Sequence, residues 1–234
     1  MLKPACLKMC LGLALLLAAS AVDAQSRPTV VELYTSEGCS SCPPAEAQIG
    51  KLAQQDGIIA LAFHVDYWDS GGWHDRFDSP EATARQRQYA HTLKLASVYT
   101  PQLVVDGQRD VVGGGDGIGP ATAKAPGVPV ALSLQNDALV VQVGALQAAT
   151  PCDVLLVGYL PQATSKVTRG ENAGRELQEF NIVRSIRKLG SWQGAGESFS
   201  VPLKTLAGDA SAVAVLVQQR DQGPIIGAAT KNLR

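Results

Sequence analysis

The chain reads as an α/β domain followed by an all-β, sandwich-like domain, and three observations predict this. A β-branched strand, a helix and a nearly continuous apolar strand succeed one another between residues 30 and 65. Gly, Pro and Ala crowd the stretch from Gly113 to Gly127. Beyond it only short apolar or alternating segments occur, separated by Gly, Asn, Asp and Pro. The first order suits a right-handed β-α-β crossover, the last an antiparallel sandwich. The 234 residues suffice for one large domain or two small ones, and the boundaries are placed at 28–122 and 127–234.

The N-terminus is read apart from both. Lys3 and Lys8 precede an eleven-residue apolar run from Met9 to Ala19, and the small residues Val22 and Ala24 suit cleavage after Ala24. Such a run rises only about 16 Å as a helix, roughly half a bilayer core. Residues 1–24 are therefore expected to be a secretory signal. The mature chain is expected to be periplasmic or secreted, with no membrane anchor. Whole, the chain has 20 basic and 21 acidic residues; removing Lys3, Lys8 and Asp23 leaves 18 and 20. That balance offers no clustered positive field for nucleic acid or an anionic membrane.

Within the first domain, Val30 to Thr35 is rich in β-branched and aromatic residues and is read as a strand. Ser36-Glu37-Gly38 follows, then Cys39-Ser40-Ser41-Cys42-Pro43-Pro44. Prolines suit a first helical turn, whose N–H groups have no intrahelical acceptor, and Ile49, Leu52 and Ala53 recur at helical spacing. The two cysteines thus sit at a strand-to-helix corner. Ile58 to Val65 is apolar almost throughout, as in a parallel strand buried on both faces. Ser79-Pro80 is an N-cap and first-turn pair opening a second helix through Ala82, Tyr89, Ala90 and Leu93. Leu103 to Val105 reads as a strand, Asp106-Gly107 as its turn, and Asp110 to Val112 as the returning arm of a hairpin.

In the second half, Val130–Leu134, Leu139–Val143, Val154–Leu160, Phe180–Ile186, Phe199–Leu203 and Val213–Val217 are the expected strands. No catalytic constellation is visible there. Arg169 to Arg175 reads as a polar loop with glycine turns.

Export changes the cysteine count, because Cys6 and Cys10 leave with the signal while Cys39, Cys42 and Cys152 remain. An oxidising compartment permits disulfides, and no second C-x-x-C or C-x-x-H lies at zinc-site spacing. No metal and no organic cofactor are assigned. A thiol at a helix N-terminus feels the positive end of the helix dipole and free backbone N–H groups, both of which favour the thiolate. Cys39, expected to be the exposed member, is assigned the attack on a substrate disulfide, and Cys42 its resolution. A purely structural disulfide and metal ligation are the rival readings. Cys152, just before an apolar strand, reads as a small buried residue.

The order β-α-β-α-β-β with C-x-x-C at the first strand–helix corner resembles the thioredoxin fold. The segments Val31-Glu32-Leu33-Tyr34-Thr35-Ser36-Glu37-Gly38-Cys39-Ser40-Ser41-Cys42-Pro43-Pro44, His64-Val65-Asp66-Tyr67-Trp68-Asp69 and Val98-Tyr99-Thr100-Pro101-Gln102 resemble, more closely, a family of secreted bacterial thioredoxin-like proteins of unknown function, and Arg169-Gly170-Glu171-Asn172-Ala173-Gly174-Arg175 with Asn181 to Arg184 extends the resemblance more loosely into the second half. The resemblance implies that Thr100-Pro101 is a cis proline packed against the Cys pair, with Pro101 in the catalytic set and Thr100 holding substrate backbone. Two departures stand out: Gly38 lies where thioredoxin has Trp, and Leu33 where it has a buried acid, Glu32 pointing to the other face.

The segment from His64 to Phe77 follows the second strand, whose end lies on the same sheet edge as the Cys pair if the strands are parallel. One reading assigns proton transfer to His64 or Asp66 and substrate contact to Tyr67 and Trp68. The other is an aromatic-rich loop packed on the sheet. The sequence thus supports an exported protein-disulfide oxidoreductase, exchanging with protein thiols or disulfides and an unknown redox partner. A copper-binding protein using His64 and both sulfurs, and a non-catalytic binding module, are the alternatives.

Overall fold

The computed structural model describes residues 27–113, 127–147, 150–206 and 208–234. The expected signal at 1–24 and the expected boundary between 122 and 127 lie outside the described residues. Thr29–Thr35 forms β1, Pro43–Leu52 forms α1 and Ile58–His64 forms β2. β1 and β2 are parallel, with Thr29 opposite Ile58 and Thr35 opposite His64. Every residue of both strands is buried, which is why the sequence of β2 carries no polar alternation. Helix α2, Pro80–Thr92, opens as expected, with Ser79 Oγ accepting from the Ala82 amide at 3.0 Å. β3, Gln102–Val105, runs antiparallel to β1, and β4, Arg109–Val112, folds back on β3.

Alternation along β1 divides two cores. Val31 and Leu33 pack with Ala45 and Ile49 of α1. Val30 and Tyr34 pack with Ala82 and Tyr89 of α2. The unit β2-β1-β3-β4 with a helix on each face is a thioredoxin-like arrangement.

The second half supplies β5 (Val130–Gln135), β6 (Ala138–Val143), β7 (Cys152–Lys166), β8 (Glu176–Trp192), β9 (Glu197–Pro202), β10 (Ala212–Gln219) and β11 (Ile225–Asn232). β5, β6 and β9 form a separate antiparallel sheet, whereas the other four extend the first sheet in the order β11-β10-β7-β8-β2-β1-β3-β4. β8 joins β2 in parallel at Ile182 and Ala62, and Asn181 Nδ2 donates to the Ala60 carbonyl at 2.8 Å. The small sheet packs Leu139, Val141 and Val201 on Val154, Leu156, Val213 and Val215, which makes the sandwich. β10 serves two cores: its odd residues Val213, Val215 and Val217 face the sandwich, and Ala212, Ala214 and Leu216 face α2.

The hairpin β7–β8 is far longer than the apolar segments within it suggest, at 15 and 17 residues. Gly158, inside the expected strand, and Gly190, beyond the end of the expected one, both lie within the observed strands, next to register shifts. Fifteen residues extend about 50 Å. The hairpin therefore spans from Trp192 in the sandwich core to a tip beside α1.

Candidate functional site around Cys39 and Cys42

Cys39 and Cys42 are joined in a disulfide at the corner between β1 and α1. The corner is built by short local bonds: Gly38 N donates to Ser36 Oγ at 3.1 Å, Cys39 N to the Ser36 carbonyl at 3.1 Å, and Cys42 N to the Cys39 carbonyl at 3.2 Å. Cys42 is the N-cap of α1, and the Ala45 and Glu46 amides both donate to its carbonyl. One expectation is corrected here. Pro43 and Pro44 have no N–H, so the helix offers the sulfurs its dipole but lacks two of its first free donors. Ser41 Oγ lies 3.4 Å from Cys39 Sγ.

A second correction concerns exposure. Cys39 is 0% and Cys42 1% exposed. The cover is the tip of the β7–β8 hairpin, Val167 to Arg175, which is not a free polar loop. Asn172 Nδ2 donates at 2.9 Å to both the Glu37 and Cys39 carbonyls, and Ser40 donates to Glu171 from its amide at 3.2 Å and its hydroxyl at 2.6 Å. Residues more than 130 positions away thus complete the cysteine corner. Their signals in sequence are the Asn-, Glu- and Gly-rich break between two strands and its loose family resemblance, neither of which says that it reaches the cysteines.

The loop after β2 lies beside the corner. Trp68 Nε1 donates to Thr100 Oγ1 at 2.8 Å, and a Cβ on Gly38 would lie 3.2 Å from Trp68 Cβ, so this ring's backbone attachment occupies the space a side chain at 38 would need. Thr100-Pro101 is cis. Pro101 is buried close to α1, since a Cβ on Gly113 would meet both Pro101 at 2.7 Å and Ala45 at 3.0 Å. Tyr67 donates to Gln86 at 3.1 Å, and Asp66 accepts from the Thr83 hydroxyl at 2.6 Å, fastening this loop to α2.

His64, at the end of β2, is in a different environment, a buried ionic cluster. Its Nδ1 is 2.7 Å from Asp75 and its Nε2 is 3.7 Å from Glu46. Burial by itself would lower the His64 pKa, but Asp75, then Glu46 and Glu179, outweigh it and lift it from 6.5 to about 10. Burial likewise would raise Asp75; the His64 charge and hydrogen bond, with the Glu37 and Phe77 amides, hold it below its ordinary value. Burial raises Glu46, and it pushes Glu179 up to about 8 against the pull of His64, with Glu37, Glu46 and Asp75 adding repulsion. Cys152 is buried and free, as expected, with burial and then Asp153 pushing its thiol up to about 11.

Glu46 and Glu179 were not legible as site residues, though the first has a signal: it is four residues after Cys42, on the apolar face that carries Ala45, Ile49 and Leu52. A cavity of about 400 Å³ lies between α1 and the start of β8, with Cys42, Glu37, Glu46 and Glu179 among its walls. His64 is not gathered with the sulfurs. Among the described residues, the His, Cys, Asp and Glu atoms close enough together for a metal ion are those of Asp69, His74 and Asp78, on the loop surface. No helix among the described residues is long and apolar enough to cross a membrane.

Residues 30–218 match the family model described as protein of unknown function, DUF1223, and the chain belongs to that family. It is also similar to a protein from Agrobacterium tumefaciens solved by X-ray crystallography, with 28% identity and a TM-score of 0.75 over 90% of this chain and 96% of that one. No curated protein matches it.

Proposed function

For this member of the DUF1223 family, we propose an exported thiol–disulfide oxidoreductase that exchanges disulfides with protein thiols at Cys39 and Cys42. The observation that carries the reading is the disulfide itself, closing the corner where β1 meets α1 in a thioredoxin-like arrangement. In the reduced protein, the Cys39 thiolate attacks a substrate disulfide, forming a mixed disulfide and releasing one substrate thiolate. The Cys42 thiol loses its proton and attacks Cys39 Sγ, releasing the second thiolate. The substrate gains two electrons and the protein returns to the disulfide; the reverse sequence oxidises a dithiol.

Ser41 Oγ, 3.4 Å from Cys39 Sγ, supports the thiolate in place of the missing backbone donors. Thr100, Pro101 and Trp68 form the flank on which substrate backbone would lie, with Tyr67 behind them. His64 serves proton transfer through the buried cluster it shares with Glu46. Substrate reaches Cys39 once the hairpin tip lifts from the corner. The signal at 1–24 supports a periplasmic or secreted location, where a redox partner would reset the pair.

The test is a Cys42→Ala variant expressed in an exporting cell, which should accumulate a mixed disulfide through Cys39. A wild-type reduction potential below about −300 mV, the range of structural bridges, together with no trapped species, would overturn the reading.

A further inference from the structure

The cavity beside Cys42 holds carboxyl oxygens that the exchange steps above leave without a hydrogen bond. Its inner wall carries three carboxyl groups, Glu37, Glu46 and Glu179, at 1%, 6% and 1% exposure. Buried carboxyls ordinarily accept hydrogen bonds. Here both oxygens of Glu46 and Oε1 of Glu37 have no partner at good hydrogen-bond geometry, although the Thr35 hydroxyl and the Phe180 backbone are near enough to Glu46 to favour its charged form and Arg76 Nε lies 3.9 Å from Glu37 Oε1. Glu37 Oε2 accepts from Trp73 Nε1 at 2.6 Å, and Glu179 Oε2 from Ser165 at 3.1 Å, so each of these two acids is fixed by one oxygen. The rest of the lining is mixed: Ala47, Gly50 and Phe180 are apolar, while the exposed Lys51, Gln54 and Glu176 border the cavity. The Phe180 ring lies over Gly50, where a Cβ would come within 2.8 Å of it.

We propose that this cavity is a subsite for an alkyl-guanidinium or alkyl-ammonium group, with its stem along Phe180 and its charged head on Glu46. Planar guanidinium carries five donors and matches a carboxylate through two of them. A bare metal ion fits less well, because the three carboxyls do not bring their oxygens within one ion's coordination span. Burial raises Glu46 and Glu179 even with His64 3.7 Å from Glu46, so a further positive charge in the cavity would favour their ionised forms. The group could come from a free small amine or from an Arg or Lys side chain of an exchange partner. Selection of partners rests on the redox reading above, whereas binding of the cation rests on the cavity alone.

The two are tested separately. The oxidised protein is titrated with n-butylguanidine and with the neutral isostere n-butylurea, followed by NMR signals of Gly50 and Phe180. Saturable binding of the guanidine, at least about tenfold weaker in Glu46→Gln and in Glu179→Gln, and not shared by the urea, is expected. Equal binding of both compounds, no binding of the guanidine, or binding unchanged in both variants overturns the subsite. Exchange is then followed with a disulfide-bearing peptide containing Arg and with its citrulline counterpart. A kcat/KM preference for Arg that Glu46→Gln abolishes assigns the group to a protein partner; equal rates assign it to a free amine. If neither peptide exchanges, the redox reading fails while the guanidine titration still decides the subsite.

Discussion

Among the described residues, the buried charges beside α2 and those beside the disulfide are built on opposite principles. On the α2 side, Glu32 accepts from Arg85 Nε at 2.7 Å and from Tyr89, while Arg85 Nη2 donates to Gln218 at 2.9 Å. Gln218 in turn donates to Tyr89 at 2.8 Å and to the Gly223 carbonyl at 2.9 Å. No buried atom of Glu32, Arg85 or Gln218 lacks a partner. The network ties β1, α2 and β10 together, so it joins the α/β half to the β-rich half. On the side of the disulfide, His64, Asp75, Glu46, Glu37 and Glu179 are packed as deeply, yet His64 Nε2, Glu37 Oε1 and both Glu46 oxygens are left without hydrogen-bond partners, with only ion pairs of 3.7 and 3.9 Å between them and to Arg76. A closed network holds structure together. An open one beside a cavity and a cysteine pair has room for a ligand or a proton.

The largest test of that contrast is Arg85→Met. It leaves Glu32 charged and buried without its partner and should lower unfolding free energy by about 3–5 kcal/mol, read from a denaturant midpoint. A loss below about 1 kcal/mol would show the closed network to be dispensable.

The pH dependence should separate the clusters next. Folding raises the pKa of His64 to about 10 and of Glu179 to about 8, so the native state holds more protons than the unfolded chain above their ordinary values of 6.5 and 4.5. Stability from His64 is full below pH 6.5 and is lost as pH rises through about 10; Glu179 adds a decline between pH 4.5 and 8. Asp75, held low, acts in the other direction: its contribution is present above pH 3.8 and is lost in stronger acid. Thermal midpoints should therefore fall from pH 6.5 to 10 in the wild type. Glu179→Gln should flatten the lower part of that slope and His64→Gln the upper part. A slope unchanged in both variants would place these protons elsewhere.

A smaller effect is expected at the cover. Asn172→Ala removes two hydrogen bonds to the cysteine corner and should cost about 1–3 kcal/mol, while limiting iodoacetamide should label Cys39 of the reduced protein several-fold faster than in the wild type. Unchanged labelling would mean that the hairpin tip does not control access.

The smallest stability change should come from Glu46→Gln. Its carboxyl has no well-formed hydrogen bond to lose and only a long, 3.7 Å ion pair with His64, and removing a buried acid offsets that loss, so the unfolding midpoint should stay within about 1 kcal/mol of the wild type or rise. Set beside Arg85→Met, that result would make the contrast quantitative. A loss like that of Arg85→Met would mean that Glu46 is a structural residue.

Local chemistry was legible in sequence wherever the cause was local. Pro43-Pro44 and Ser79-Pro80 mark helix starts because proline and a capping hydroxyl act within one turn. The unbroken apolar run of β2 signals burial on both faces, and Glu32 falls on the face opposite Leu33 by the two-residue period of a strand. The disulfide at the corner and the cis bond before Pro101 followed from spacing and from family resemblance. Tertiary structure alone decided the rest. Hydrogen bonding between strands set the lengths of β7 and β8, because a ladder can run through Gly158 and Gly190 when a neighbouring strand holds the backbone. That length carries Asn172 and Glu171 onto a cysteine corner more than 130 residues earlier, and it sets Glu179 against Glu46. Neither contact leaves a periodic trace in the chain. Sequence patterns report which face of its own element a residue occupies; which distant side chain meets it there depends on the packing of the whole sheet.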